Sequence, residues 1–216
     1  MPVAGRPMVE WSLEAFRLAE SVRSIVVACP PGWVDHVRAL GSEPGVDLAA
    51  VEGGATRSAS VRNALEAVDT ELVAIHDAAR PLLTPELVEG VVGALVGDEE
   101  ADGAIAATPV VDTVKRSERA EGFGGYSPQK RPVAIGETVD RAALWAAQTP
   151  QVFRTAALRA ALDAYPADAP EPTDEAMLIE AAGGRVLLHP STGENLKVTT
   201  PLDLRVAALL LADRVR

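Results

Sequence analysis

Cysteine, histidine and lysine are scarce in this chain, and the first two shortages each remove a class of function. Cys29 is the only cysteine. That excludes an intrachain disulfide and a cysteine-built metal site, and it points to a reducing, cytoplasmic setting. The three histidines, His36, His76 and His189, are scattered and show no metal-ligand spacing. No Ser-His-Asp constellation, P-loop lysine motif or H-E-x-x-H pattern occurs, so hydrolase and kinase chemistry have no support. No apolar run reaches the ~18–20 residues that a membrane-spanning helix needs, and the longest is broken by Asp213 and Arg214 near the C-terminus. No charged leader followed by an apolar stretch opens the sequence, so no export signal is expected. Basic residues number 20 against 31 acidic ones, a net charge of −11. A general basic surface for nucleic acid or anionic lipid is therefore excluded, and any anionic substrate must meet cations placed locally. Lysine occurs only as Lys115, Lys130 and Lys197.

What is present reads as one globular domain over 1–216. The chain has 216 residues and is 48% hydrophobic, enough to bury a substantial core and too apolar for a disordered chain. Short β-branched runs at 24–28, 46–51, 72–75, 103–107 and 185–189 read as strands, the central ones too apolar to alternate and so expected to be buried on both faces. Between and after them, the segments 8–20, 33–40, 58–68, 85–95, 155–164, 173–182 and 201–212 carry apolar residues at helical spacing. Alternating strand and helix predicts a doubly wound α/β fold with a mostly parallel sheet of the Rossmann-like kind. Ligands in that class bind beyond the carboxyl ends of the strands. One region, 111–149, breaks the rhythm: strand-like pieces at 111–114 and 133–139 flank a stretch rich in Gly, Lys, Arg and Pro. It is expected to form a β-arm reaching from the domain, with a partner subunit covering its apolar residues.

Several stretches can carry chemistry. VAIHDAAR, residues 73–80, runs a buried strand directly into His76, Asp77 and Arg80. Such groups are costly to bury unless paired or functional. An ion pair or a capping loop is one reading and a ligand site at the strand end is the other. In VEGGATRSASVRNAL, Gly53 and Gly54 follow a strand and Arg57 and Ser60 begin a helix. Close backbone approach plus a helix N-terminus suits an anion. Taken alone, the pattern is better accounted for by an ordinary left-handed turn with Ser58 or Ser60 as N-cap. In GENLKVTTPLDL, Thr200 before Pro201 is a helix cap, whereas Lys197 can point back over the sheet edge as a compact charge for a phosphate oxygen. In DRAALWAAQTPQVF the apolar residues suit a core or a dimer interface, with Arg141 the exception. PTDEAMLIEAAGG reads as a helix N-capped by Thr173 or Asp174, with glycines at its end.

Taken in order, VAGRPMVEWSLEAF, GGATRSASVRNAL, HDAARPLL, PVVDTVKR, TVDRAALWAAQTPQVF, TDEAMLIEAAGG and NLKVTTPLDL span nearly the whole chain. Together they resemble the 2-C-methyl-D-erythritol 4-phosphate cytidylyltransferase family of the non-mevalonate isoprenoid pathway. The resemblance implies attack of a substrate phosphate on the α-phosphate of CTP, with Mg²⁺ held mainly by the CTP phosphates and no dedicated protein metal site. It implies a homodimer formed through the arm. It places Gly53, Arg57, Ser60, Asp77 and Ala78 at the nucleotide, and Arg80, Arg141, Thr149 and Thr173 around the methylerythritol phosphate. It makes Lys197, Asp77 and Arg141 the catalytic residues, Lys197 neutralising transition-state charge and Arg141 reaching across from a partner subunit. A related cytidylyltransferase acting on ribitol 5-phosphate and a catalytically silent nucleotide-binding paralogue are the alternatives. The sequence departs from the family in two places. Members open with a strand leading into a Gly-rich loop that carries an arginine and a lysine, and no equivalent precedes MPVAGRP, so the natural start is expected upstream of Met1. The arm is longer than usual, with 117–131 unmatched.

Overall fold

The computed structural model describes residues 1–41, 46–118, 133–166 and 168–214. Its elements begin with β1 (Pro2–Val3), β2 (Arg6–Pro7), α1 (Met8–Leu18), β3 (Ser24–Cys29), α2 (Val34–Arg38), β4 (Asp47–Glu52) and α3 (Arg57–Leu65). Next come β5 (Leu72–Ile75), α4 (Pro85–Val96), β6 (Gly103–Pro109), β7 (Lys115–Ser117), β8 (Ile135–Thr138) and β9 (Trp145–Arg154). The chain closes with α5 (Thr155–Ala164), α6 (Glu175–Ala181), β10 (Val186–Pro190) and α7 (Pro201–Arg214).

Helix starts follow local chemistry. Thr84 caps α4 by accepting from the Leu87 N–H at 3.3 Å, and Pro85 occupies the first turn, where a missing N–H costs nothing. Thr200 caps α7 through the Asp203 N–H at 3.2 Å, while the Asp203 carboxylate accepts from the Thr200 N–H at 2.8 Å. At α6 the cap is Asp174, one of the two expected there, whereas at α3 it is Thr56, ahead of both Ser58 and Ser60. The reason is geometric: only Thr56 has the extended backbone that aims a side-chain oxygen at the Ala59 N–H, 3.1 Å away.

The α/β class is borne out, with one strand that the alternation does not predict. The main sheet has the order β10-β6-β9-β5. β10 and β6 are parallel, and β9 runs antiparallel to both β6 and β5. β9 draws on DRAALWAAQTPQVF, whose apolar residues were assigned to core or interface; Val152 and Phe153 are indeed core, at 1% and 0% exposure. β3 and β4 form a separate parallel pair, and β7 and β8 make an antiparallel hairpin. The segment 111–149 thus holds that hairpin and also the first half of β9; most of the long stretch 117–131 lies outside the described residues.

The core sits on both faces of the main sheet. Val91 and Leu95 of α4 pack on Ala104, Ala106 and Val152. Leu158, Leu162, Leu178 and Ile179 of α5 and α6 pack with Ile105 and Phe153. β6 alternates between these two layers and is buried throughout its centre. β5 was expected to be buried on both faces, but all four of its residues are only half-buried. Its free edge opens onto a cavity of 560 Å³ that separates it from β3.

Candidate active site

Asp77 lies just past His76 beyond the end of β5, where the chain leaves the sheet and turns toward α4. The turn is closed by the Arg80 N–H donating to the Asp77 carbonyl at 2.9 Å, and it is tied to the 195–198 segment by the Val198 N–H donating to the Ala79 carbonyl at 2.8 Å. That tie brings Lys197 to Asp77. The Lys197 Nζ lies 2.8 Å from one carboxylate oxygen, the Arg57 Nε 3.7 Å from the other, and the Arg80 Nε 4.0 Å away. Three cations from three separate segments therefore surround one carboxylate at the strand ends, in a chain whose net charge is −11.

Arg57 is held from beneath. Its two terminal nitrogens donate to the two oxygens of Glu175 at 2.5 and 2.7 Å, a bidentate pair, and Glu175 is fully buried. Burial pushes the Glu175 carboxyl above its ordinary value despite the Arg57 charge. Asp77 goes the other way. Burial alone would raise it, but the Lys197 hydrogen bond and the charges of Lys197, Arg57 and Arg80 hold it below its ordinary value. Asp77 is thus a carboxylate at neutral pH, able to accept hydrogen bonds from sugar hydroxyls or metal-bound water. Arg80 is buried, donates to the Asn195 carbonyl at 2.7 Å, and keeps its Nε without a hydrogen-bond acceptor.

Under the loop runs a polar chain. The Asp77 N–H donates to the Thr149 hydroxyl at 3.0 Å, that hydroxyl lies 3.0 Å from His76 Nδ1, and His76 Nε2 lies 3.2 Å from the Arg80 carbonyl. A carbonyl only accepts, so Nε2 carries the ring proton and Nδ1 accepts from Thr149. Burial drives the His76 pKa down to about 4, so the ring is neutral at pH 7. Asn195 secures the other side by donating to Gln148 Oε1 at 2.8 Å and to the Thr149 carbonyl at 2.9 Å.

The glycines serve close approach within the protein. A Cβ on Gly54 would sit 2.3 Å from the Ala59 Cβ, and one on Gly53 would sit 2.9 Å from the Ser60 Oγ. Neither glycine has a positive φ, so the left-handed turn is not what selects them. Ser60 donates to the Thr56 carbonyl at 2.9 Å and accepts from the Gly54 N–H at 3.0 Å, which fixes the loop that presents Arg57. Ala78 and Asp77 line the mouth of the cavity beside β5 together with Arg57 and Ser60.

Of the residues singled out from sequence, Gly53, Arg57, Ser60, Asp77, Ala78, Arg80, Thr149 and Lys197 converge here. Thr173 is exposed, with its hydroxyl 4.0 Å from the Met177 sulfur, although Asp174 and Glu175 immediately after it join the network. Arg141 is exposed and donates to the Val111 carbonyl at the base of the arm, so within one chain it belongs to the arm. Sequence reasoning passed over Glu175 and Asn195 as site residues, and it named His76 at the strand end without giving it a role. A buried acid at the start of an otherwise apolar helix, and an asparagine two residues before Lys197, were the available signals. Among the described residues no group of three or more His, Cys, Asp or Glu is placed to hold a metal ion.

The family model for IspD, 2-C-methyl-D-erythritol 4-phosphate cytidylyltransferase, matches residues 1–213. The chain belongs to the IspD family. It is 42% identical to the 2-C-methyl-D-erythritol 4-phosphate cytidylyltransferase of Cereibacter sphaeroides, over 98% of this chain and 87% of that one. It is 40% identical to the Synechococcus enzyme of the same name, over 99% of this chain and 90% of that one. Among solved structures, the Thermus thermophilus enzyme superposes with a TM-score of 0.74 at 36% identity, covering 98% of this chain and 92% of its own. The 4-diphosphocytidyl-2C-methyl-D-erythritol synthase of Anaerococcus prevotii superposes with a TM-score of 0.84 at 25% identity and the same coverage. IspD relatives are cytidylyltransferases, so the cation cluster around Asp77 lies in an enzyme fold that handles nucleotide phosphates. No helix among the described residues is long and apolar enough to cross a membrane.

Proposed function

We propose that this chain transfers the cytidylyl group of CTP to 2-C-methyl-D-erythritol 4-phosphate and releases pyrophosphate. A phosphate oxygen of the acceptor forms a bond to the α-phosphorus. The bond from that phosphorus to the oxygen bridging it to the β-phosphate breaks, and pyrophosphate leaves with the electron pair. The observation that carries this reading is the family match over residues 1–213. The cation cluster supports it, because phosphoryl chemistry asks the protein for positioning and charge neutralisation rather than covalent work.

In this reading Arg57 and the loop fixed by Gly53 and Ser60 face the nucleotide, and Asp77 orients ribose hydroxyls. Lys197, which is nearly half exposed, shifts from Asp77 to the phosphate as charge develops. Arg80 and Thr149 hold the acceptor side, with Thr173 at the rim. Mg²⁺ fits the site as an ion carried mainly by nucleotide phosphates, since Asp77 is the one carboxylate facing the mouth and no ready ligand cluster exists among the described residues. When bound it would neutralise phosphate oxygens. We further assign the arm to dimerisation. Val111 and Ile135 are 79% and 60% exposed there, a cost that a second copy removes, and Arg141 of that copy would complete the acceptor pocket. The single, buried cysteine suits a cytoplasmic enzyme.

The test is pyrophosphate release from CTP, 2-C-methyl-D-erythritol 4-phosphate and Mg²⁺, with ribitol 5-phosphate as the competing acceptor. Release that requires both CTP and the methylerythritol phosphate supports the reading. Faster turnover of ribitol 5-phosphate would reassign the substrate, and CTP binding by a folded chain without release would make it a nucleotide-binding protein.

A further inference from the structure

His76 is a half-buried titratable side chain to which the reaction above gives no part, yet α1, β9 and the Asp77 turn all close on it. We propose that His76 is a positioning residue for the acceptor substrate: its Nδ1 engages the hydroxyl proton of Thr149, so that Thr149 can only accept from the substrate and reads a hydroxyl there rather than a phosphate oxygen. The proposal rests on the reaction above for its substrate class, and on geometry alone for the state of the ring. A neutral imidazole carries its proton on one nitrogen or the other, and the two forms give Thr149 opposite chemistry. With the proton on Nδ1, the Thr149 oxygen would accept from both the ring and the Asp77 N–H, leaving its own proton free for a phosphate oxygen. With the proton on Nε2, the hydroxyl must donate to Nδ1 while it accepts from Asp77, and one lone pair is left. The choice is made on the far side of the ring. There Nε2 lies 3.2 Å from the Arg80 carbonyl and 3.4 Å from the Ser12 hydroxyl, which itself donates to that carbonyl at 3.5 Å. A bare Nε2 would set its lone pair against a carbonyl oxygen that offers no proton, whereas an Nε2–H satisfies both oxygens. Burial keeps the ring from taking a second proton at neutral pH, which would make Nδ1 a donor as well.

The neighbouring groups match that sense. Asp77 is an ionised carboxylate and only accepts. Asn195, 3% exposed, gives its amide N–H groups to Gln148 Oε1 and to the Thr149 carbonyl, which leaves its Oδ1 a buried acceptor with no donor among the described residues. Arg80 supplies the opposite, a buried Nε with no acceptor among them. A buried polar group without a partner is costly, so each calls for a ligand or water atom of the complementary kind. The acceptors on Asp77, Thr149 and Asn195 call for hydroxyl protons and the Arg80 donor calls for an oxyanion, the two halves of a polyol phosphate. Fixing Thr149 as an acceptor keeps the halves apart, because a phosphate oxygen that faced the Thr149 lone pair would find no proton. A site built to hydrogen-bond a substrate hydroxyl rejects the analogue that lacks it far more strongly than an apolar pocket would. His76 thereby acts on selectivity through Thr149, without touching the substrate.

The test has a spectroscopic and a kinetic arm. Nitrogen NMR spectra of the ligand-free chain at neutral pH are expected to show His76 protonated at Nε2 and bare at Nδ1; a proton on Nδ1 would overturn the proposal. That arm needs no turnover, so it decides the ring even if CTP and 2-C-methyl-D-erythritol 4-phosphate do not react, a result that would count against the proposed reaction instead. In the kinetic arm, kcat/KM for the methylerythritol phosphate is divided by that for deoxy analogues, each lacking one hydroxyl. At one position the parent chain is expected to discriminate by roughly tenfold or more. His76→Leu lets the Thr149 proton turn toward the site and should shrink that ratio several-fold, with KM for CTP little changed. His76→Asn keeps an acceptor where Nδ1 stood and should restore the ratio. A merely structural histidine would lower kcat/KM for every acceptor alike, so an unchanged ratio in His76→Leu would overturn the proposal, as would His76→Asn performing no better than His76→Leu. Should His76→Leu fail to fold, Thr149→Ser and Thr149→Val carry the comparison: the ratio is expected to survive the first and vanish in the second, and its survival in both overturns the proposal.

Discussion

Lowering the pH from 7 to 5 should destabilise this protein through His76. The ring sits under the Asp77 loop, stacked edge-on to Phe16 at 5.5 Å, with both nitrogens used by Thr149 and the Arg80 carbonyl. Burial lowers its pKa from 6.5 to about 4. The unfolded chain therefore binds a proton near pH 6.5 that the folded chain refuses until about pH 4. The contribution is full above the unfolded value and shrinks as pH falls through that window. At about 1.4 kcal/mol per unit the limit is about 3 kcal/mol. At pH 5 the unfolded ring has run about 1.5 units past its midpoint, which would give about 2 kcal/mol. Because the ring borders the open cavity beside β5 and is only half-buried, a loss of about 1–2 kcal/mol is the expected outcome. Glu175, whose pKa is raised, acts with the opposite sign as pH falls, and Asp77, whose pKa is lowered, stays ionised across the window. The measurement is urea unfolding at pH 7 and pH 5 at constant ionic strength, for the parent chain and for His76→Gln. The difference between their pH slopes isolates the ring. Equal slopes, or an imidazole C2 proton that titrates near 6.5 in the folded protein, would refute the reasoning.

Lys197→Ala should lower kcat by on the order of a hundredfold or more while costing at most about 1 kcal/mol of stability, since Lys197 is nearly half exposed and Arg57 and Arg80 remain beside Asp77 to balance its charge; steady-state kinetics beside urea unfolding would show it, and an unchanged kcat in an active protein would remove the role. Glu175→Ala strands the half-buried Arg57 guanidinium and should cost about 3 kcal/mol, with Glu175→Gln costing less because it still accepts one hydrogen bond; equal effects of the two variants would mean that volume, not the pair, matters. Gly54→Ala puts a methyl 2.3 Å from the Ala59 Cβ and should cost about 1–3 kcal/mol and raise KM for CTP as the Arg57 loop is displaced; a neutral result would show that the loop has slack.

The alternation of apolar runs and helical periods was enough for the fold class, because a strand buried beneath helices must be uniformly apolar and a helix on a sheet must be apolar on one face. Helix starts were legible where the cap is a side chain next to its own helix, as at Thr200 and Asp174. They were misplaced at α3, where several residues could cap and only backbone geometry chooses Thr56. β9 was hidden because Gln148, Thr149 and Gln151 interrupt its apolar pattern; those polar groups are buried in use, Gln151 for instance donating to Asp174 at 2.9 Å.

By itself the sequence determined that Asp77 and Arg80 lie just beyond a strand, that Lys197 follows another, and that glycines open a tight loop before Arg57. These are local consequences of residue order. Only the tertiary structure decided that the three cations meet at one carboxylate, that Glu175 is the buried partner of Arg57 across 118 positions of chain, and that β5 is left with an open edge. Such pairings depend on how the strands are ordered across the sheet. No local propensity encodes that order; it emerges when the helices bury their apolar faces together.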